Sequence, residues 1–330
     1  MRMTSSADQI IASTEFMMSH PELHHYTDLR GLEGIVRTNT LWATHFRDLN
    51  DREEVIHFKE PLKTALSEML SRRDISPSQR DTLDRFGGIS RIAADLVENL
   101  YRNTFEGSAG YSSAQPFIVS FCTHADDRAY EREHGLLSQW RGYGGDGGYC
   151  LVFDTVGLCK IFKHELDHYS LIYGSIDAVK YFKRDADLPV EFSQFMEVFN
   201  AHIFWFLEGK LGPEPEEPTS RFLRLAPLFK HQGFWEEREA RLVVIPGTEV
   251  FRDYVRAEHP GIDLPLPKEI RTRQDGRQYI SLFEGLKDRL PIKRVIVGPS
   301  KTQQNNLKMA WDILDSGVKI TASETPFIGR

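Results

Sequence analysis

Residues 23–44, LHHYTDLRGLEGIVRTNTLWAT, read as a strand, a short helix and a second strand. Leu23-His24-His25-Tyr26-Thr27 follows Pro21 and suits a short strand. Asp28 has the side chain of an N-cap, and Leu32, Ile35 and Val36 then recur at i, i+3 and i+4, one face of a helix. Thr40 to Thr44 returns to extended chain. Further strands are expected at Pro116–Cys122, Tyr149–Phe153, Leu242–Ile245 and Arg294–Val297, with a strand pair around Tyr169–Tyr173 and Ala178–Phe182. The chain should close on a helix, Thr302–Leu314, and a last strand, Val318–Thr321.

Helices fall unevenly between these strands, which argues an α+β fold rather than a doubly wound sheet. One block lies at about 52–110, with stripes Leu62, Leu66, Met69, Leu70 and Ile92, Leu96, Leu100, Tyr101. Another lies at about 183–225, where Phe192, Phe195, Met196 and Phe199 share a side. Both read as helical insertions into a single domain spanning 1–330. Pro213–Pro218 reads as a loop, and 249–280 as loop-rich with a hairpin.

The 330 residues are 40% hydrophobic and 27% charged, an ordinary globular balance. Three cysteines offer no disulfide framework and suit a reducing compartment. No run approaches the roughly 20 apolar residues of a membrane helix, so a cytoplasmic protein with no membrane partner is expected. The net charge of −7 argues against a mainly phosphate-driven nucleic-acid binder. Arg271, Arg273 and Arg277 form a local basic stretch that reads as a solvated loop.

Several groups carry candidate chemistry. In an extended strand Glu237, Glu239 and Arg241 would share one face, two carboxylates beside a cation at the mouth of a cleft. At helical spacing Glu237 and Arg241 would instead form an i, i+4 salt bridge on a solvated face, and spacing alone favours this second reading. His25 and Thr27 alternate with Tyr26 along their strand and could hydrogen-bond a ribose or an amide. Asn50, Asp51 and Glu54 could do the same or simply build a turn. Ser138-Gln139-Trp140-Arg141-x-Tyr143 concentrates stacking and anion-binding groups, read either as exposed before a turn in which Gly144, Gly145, Gly147 and Gly148 would admit a phosphate, or as a hairpin turn with an aromatic anchor. Ser120 sits mid-strand, facing a cleft or buried. Cys122-x-His124 and His134 make a poor metal set, and no metal site is expected.

Together, HYT, LWAT, LND, VSFC, SQWRGY, CLVFD, K-x-x-x-F-x-x-E-x-E-x-R (Lys230 to Arg241) and LPIKRVIVGP resemble a widespread bacterial family known only as a domain of unknown function, from about Leu23 to Pro299. More distantly, the order His-Tyr-Thr, helix, Leu-Trp-Ala-Thr, serine strand and late Glu is similar to ADP-ribosyltransferases, in particular bacterial DNA-targeting toxins. That resemblance implies a split two-sheet α+β core that clamps NAD as substrate, with His25 and Thr27 on the nicotinamide ribose or amide. It implies Ser120 on the second core strand, Glu239 as the catalytic acid and Glu237 orienting the acceptor. Tyr26, Asn50, Ser138, Trp140, Arg141, Tyr143 and Arg241 would complete the NAD site, Arg141 or Arg241 holding the pyrophosphate. The acceptor would be a macromolecule, in a toxin or anti-phage role. A non-catalytic nucleotide or nucleic-acid binding module and an NAD glycohydrolase are the rivals.

Overall fold

The Asp28 carboxylate accepts a hydrogen bond from the Gly31 amide (2.8 Å), satisfying one of the orphan donors that open a helix. The helix runs Leu29–Thr38 and ends where Asn39 turns left-handed, with φ of 55°. Its short length brings the strand that follows it back to the same strand edge as the one before it, and this decides the architecture. A computed structural model describes residues 11–49, 58–72, 74–106, 115–124, 128–144, 147–182, 190–208, 216–314 and 317–326.

The strands are β1 (Glu22–Thr27), β2 (Leu41–His45), β3 (Phe117–Cys122), β4 (Tyr149–Asp154), β5 (Leu171–Ala178), β6 (Lys180–Phe182), β7 (Phe229–His231), β8 (Glu239–Pro246), β9 (Ile270–Thr272), β10 (Gln278–Leu282), β11 (Ile292–Val297) and β12 (Lys319–Ala322). Ten form one open, mixed sheet, and β6 pairs β7 separately. Strand β3 is its branch point. One edge of β3 pairs with β8 along its whole length, and β8 pairs in turn with β5. The other edge is shared. Phe117 and Ile118 meet His45 and Thr44 of β2, while Cys122 meets His24 of β1. Between them, Val119–Phe121 has no strand partner on that edge among the described residues. The sheet therefore forks into an arm β1-β4-β11-β12 and an arm β2-β10-β9.

Each face carries its own core, as alternation along a strand requires. Leu23, Val119, Phe121, Leu151, Leu242 and Val244 face one layer, with helices Leu29–Thr38, Thr155–His168 and Gln303–Ile313. Ile118, Val243 and Ile245 face a second layer. That layer is built by helices Lys59–Arg72, Pro77–Arg85 and Ile89–Tyr101 from the first insertion and Val190–Leu207 and Glu216–Leu225 from the second. Tyr101 and Phe195 both pack on Phe222, with ring centroids 5.0 and 5.6 Å apart, so the two insertions form one helical cap.

Three local expectations change, and one unassigned stretch gains a helix. The 169–182 region gives β5 and β6, which pair with β8 and β7 rather than with each other. Helix Glu216–Leu225 begins inside the expected Pro213–Pro218 loop, because Pro218 lies in its first turn, where no amide donor is needed. Helix Glu249–Glu258 replaces the first part of the expected loop 249–280, while the hairpin expected there forms as β9–β10. Helix Thr155–His168 occupies a stretch with no assignment from sequence. Among the described residues no helix is long and apolar enough to cross a membrane.

Candidate functional site

The fork opens into a cavity of about 1710 Å³. That exceeds the ~300–1,000 Å³ usual for small-ligand pockets, leaving room for a dinucleotide and a second reactant. Its walls come from both arms and from the strand between them. His25, Tyr26 and Thr27 of β1 line it, as do Ser120 of β3, Glu237, Glu239 and Arg241 beside β8, and Tyr143. Strand alternation puts His25 and Thr27 on the face of Leu23 and Leu151, and Ser120 and Arg241 on the opposite face. They line one space because the fork connects the two faces.

His25 spans the gap: its Nδ1 donates to the Ser120 carbonyl at 3.0 Å. A carbonyl only accepts, so Nδ1 carries the proton. Burial lowers the imidazole pKa, outweighing that bond, so the ring is neutral near pH 7 and its Nε2 is an acceptor. Thr27 has its hydroxyl over the start of the capped helix, where a Cβ on Gly31 would lie 1.8 Å from Thr27 Oγ1. Gly31→Ala is therefore expected to force the Thr27 hydroxyl out of place and to lower stability by about 1–3 kcal/mol. A thermal or urea melt checks this, and an unchanged midpoint would contradict it.

The E-x-E-x-R forms neither a regular strand nor a helix. Glu239 and Arg241 lie in β8 with their side chains on one face. Arg238 is left-handed (φ 42°), which costs an L-residue about 1–2 kcal/mol, and it turns Glu237 back toward the same point. That point is Lys230 of β7, whose Nζ donates to Glu237 at 2.9 Å and to Glu239 at 3.0 Å. Arg241 Nε and Nη2 grip both Glu239 oxygens at 2.8 and 3.0 Å, and its Nη1 donates to the Pro227 carbonyl at 2.6 Å. The Ser120 hydroxyl also favours the ionised form of Glu239. The helical reading of this stretch gives way to a strand from Glu239 onward, along which Arg241 pairs with Glu239 across one intervening residue.

Burial alone would raise the Glu239 pKa. Arg241 and Lys230 outweigh it and hold the carboxyl at about 2, from an ordinary 4.5. Glu22 behaves alike: burial raises it, but Arg294 and Lys293 bring it to about 2. Both folded values lie below the unfolded ones, so each group stabilises fully above pH 4.5 and loses its contribution as pH falls toward 2. Stability should therefore decline through that window. A stability-versus-pH curve flat from pH 5 to 2 would contradict it.

The SQWRGY segment departs from the exposed-turn reading. Leu137–Tyr143 is a helix, which divides its side chains between two sides. Trp140 is 2% exposed, packs edge-on against Tyr26 (4.8 Å) and donates its indole N–H to the His134 carbonyl at 3.0 Å. Gly135 and Gly298 make room for it, since a Cβ at either would lie 2.4 or 2.8 Å from its ring. Trp140 is thus a core anchor and does not line the cavity, and neither do Ser138 and Arg141. Tyr143, 43% exposed, does. The glycines after it close the chain: Gly148 fits against Gly144 and the Thr27 carbonyl, and Gly147 against Ser300 and Asn306. Gly145, Asn50, Asp51 and Glu54 lie outside the described residues.

Arg241 has three donor nitrogens committed and is 1% exposed, so it clamps Glu239 rather than awaiting a phosphate. Lys230 opens the K-x-x-x-F-x-x-E-x-E-x-R motif, but its pairing with the glutamates was not assigned from sequence, because it reaches them from a separate strand. Arg273 was read as solvated, yet it lies against Trp42 and Tyr279 on the cavity wall. The three cysteines are free and buried, and burial pushes their thiols up, Cys159 to about 11. Among the described residues no cluster of three or more His, Cys, Asp or Glu is placed to hold a metal.

The profile of a family described as a protein of unknown function (DUF2971) matches residues 139–242. The matched stretch runs from the Trp140 helix to β8, so it includes Lys230, Glu237, Glu239 and Arg241 and leaves out β1 to β3. It is narrower than the likeness read from Leu23 to Pro299. No curated protein and no solved structure matched the chain.

Proposed function

We propose that this protein is an ADP-ribosyltransferase-like enzyme that binds NAD in the forked cavity and transfers ADP-ribose to a macromolecule. What chiefly supports this is the meeting, at one cavity, of a neutral His25 and Thr27 from β1 with an ionised Glu239 from β8. Imidazole Nε2 and the Thr27 hydroxyl suit the hydroxyls of a ribose. Breaking the C1′–nicotinamide bond sends its electron pair to the leaving base and gives the sugar oxocarbenium character, as in glycoside hydrolysis. The acceptor then bonds C1′ and gives up its proton. Glu239, held rigidly by Lys230 and Arg241, would stabilise the sugar cation, with Glu237 orienting the acceptor. Arg30, at the start of the capped helix and on the cavity wall, takes the pyrophosphate role first given to Arg141 or Arg241.

One observation favours a second reading, a non-catalytic nucleotide-binding module. Glu239 is 4% exposed and offset by two cations, which weakens its field at a sugar carbon. Incubating the protein and cell lysate with adenylate-labelled NAD separates the readings. Label on protein or nucleic acid is expected. Free ADP-ribose alone would mean hydrolysis, and intact NAD would leave the module.

A further inference from the structure

The second arm of the fork carries a cluster that the proposed chemistry leaves unused. Trp42 of β2 and Tyr279 of β10 are diagonal neighbours across paired strands, because Thr44 opposes Tyr279 and Trp42 opposes Ser281. Their ring centroids lie 4.3 Å apart at an interplanar angle of 31°. Arg273, just past β9, brings its guanidinium carbon to 5.0 Å from the Trp42 ring and 5.5 Å from the Tyr279 ring. Its Nη2 donates to Thr44 Oγ1 at 3.1 Å. All four residues line the cavity.

Three features of this cluster fit a ligand better than a simple hairpin brace. Trp42 stays 48% exposed although Tyr279 covers one side of it, so a broad apolar surface faces the cavity. Arg273 Nε is buried and has no hydrogen-bond partner, and among the described residues no carboxylate comes within ion-pair distance of this arginine. A guanidinium whose Nε is buried without an acceptor is costly until an anion meets it. The nearby carboxylates are engaged: Asp275 pairs with Arg277 at 3.3 Å, and Asp48 accepts the Gln278 amide at 2.8 Å. An open indole beside a guanidinium short of an anion matches a planar base carrying a phosphate.

We propose that Trp42, Tyr279 and Arg273 form a nucleotide subsite in which a nucleobase stacks on Trp42 and its 5′-phosphate meets Arg273. This goes beyond NAD turnover, since it needs only the second arm and no chemistry at Glu239. The occupant is either the adenylate half of NAD or a nucleotide of the acceptor, and both present the same chemistry here.

Calorimetric titration of the full chain with AMP, adenosine and inorganic phosphate tests it. AMP is expected to bind more tightly than adenosine or phosphate alone. Trp42→Ala should weaken AMP binding about tenfold or more while the fold is kept, since the half-exposed indole gives up only a cross-strand ring pair. Arg273→Gln should erase the preference for AMP over adenosine. No AMP binding to the wild type, or equal affinity in Trp42→Ala, would overturn the subsite. Repeating the titration under saturating NAD identifies the source: lost AMP binding means the adenylate half, retained binding means a separate nucleotide. AMP binding without NAD turnover would sink the transferase reading and leave this subsite standing.

Discussion

Arg241→Met is expected to lower the unfolding free energy by about 3–5 kcal/mol, the usual cost of breaking a buried ion pair from one side. The methionine keeps most of the volume but none of the donors. Glu239, 4% exposed, would lose both bonds from Arg241 and keep Lys230 and Ser120, while the Pro227 carbonyl would lose its guanidinium donor. Replacing both partners by groups that need no counter-charge should cost less than the sum of the singles, as coupled neighbours do. Urea denaturation of the single and double variants reads this as a shift in midpoint at constant slope. A loss below about 1 kcal/mol in the single variant would mean that Arg241 does not carry this network.

Glu239→Gln is expected to reduce NAD turnover about 10²–10³-fold, the scale seen when one preorganised electrostatic group is removed. The amide keeps the shape of the carboxylate and one acceptor oxygen, so folding should survive, at some cost where Arg241 loses a charged partner. Glu237→Gln separates the two glutamates. If Glu237 orients the acceptor, its loss should lower label on the macromolecule more than it lowers NAD consumption. Steady-state assays of both variants with circular-dichroism controls decide the matter. Wild-type turnover in Glu239→Gln would remove this residue from the chemistry.

The local elements were legible where a single physical signal dominated. Asp28 followed by an i, i+3, i+4 stripe announced the helix Leu29–Thr38, and the run behind Glu239 announced β8. Helix Thr155–His168 was obscured by its opening, where a β-branched residue and a glycine follow Thr155, although Leu158, Ile161, Phe162 and Leu166 bury one stripe. Helix Glu249–Glu258 buries little beyond Val255 and Arg252, so its pattern was faint. Trp140 stayed open between an exposed stacking group and an aromatic anchor, because an indole beside Arg and Tyr is placed only when a helix assigns them to different sides.

The fork itself was out of reach. It depends on His24 meeting Cys122 and Thr44 meeting Ile118, pairings between distant strands that no periodicity encodes. Lys230 stood at the head of a quoted motif, but its contact with the glutamates was hidden for the same reason. Its hold on Glu237 and Glu239 exists only because β7 runs beside the left-handed turn at Arg238. Arg273 changed character likewise, from one charge among three in a basic stretch to a guanidinium set beside two rings.

The central claim is that β1 and β8 build one NAD site across the fork, and a crystal structure of Glu239→Gln soaked with NAD tests it most directly. The expected result is ligand density inside the fork, with the nicotinamide ribose against His25 and Thr27 and near residue 239. Density elsewhere on the protein, or an empty fork at saturating NAD, would contradict it.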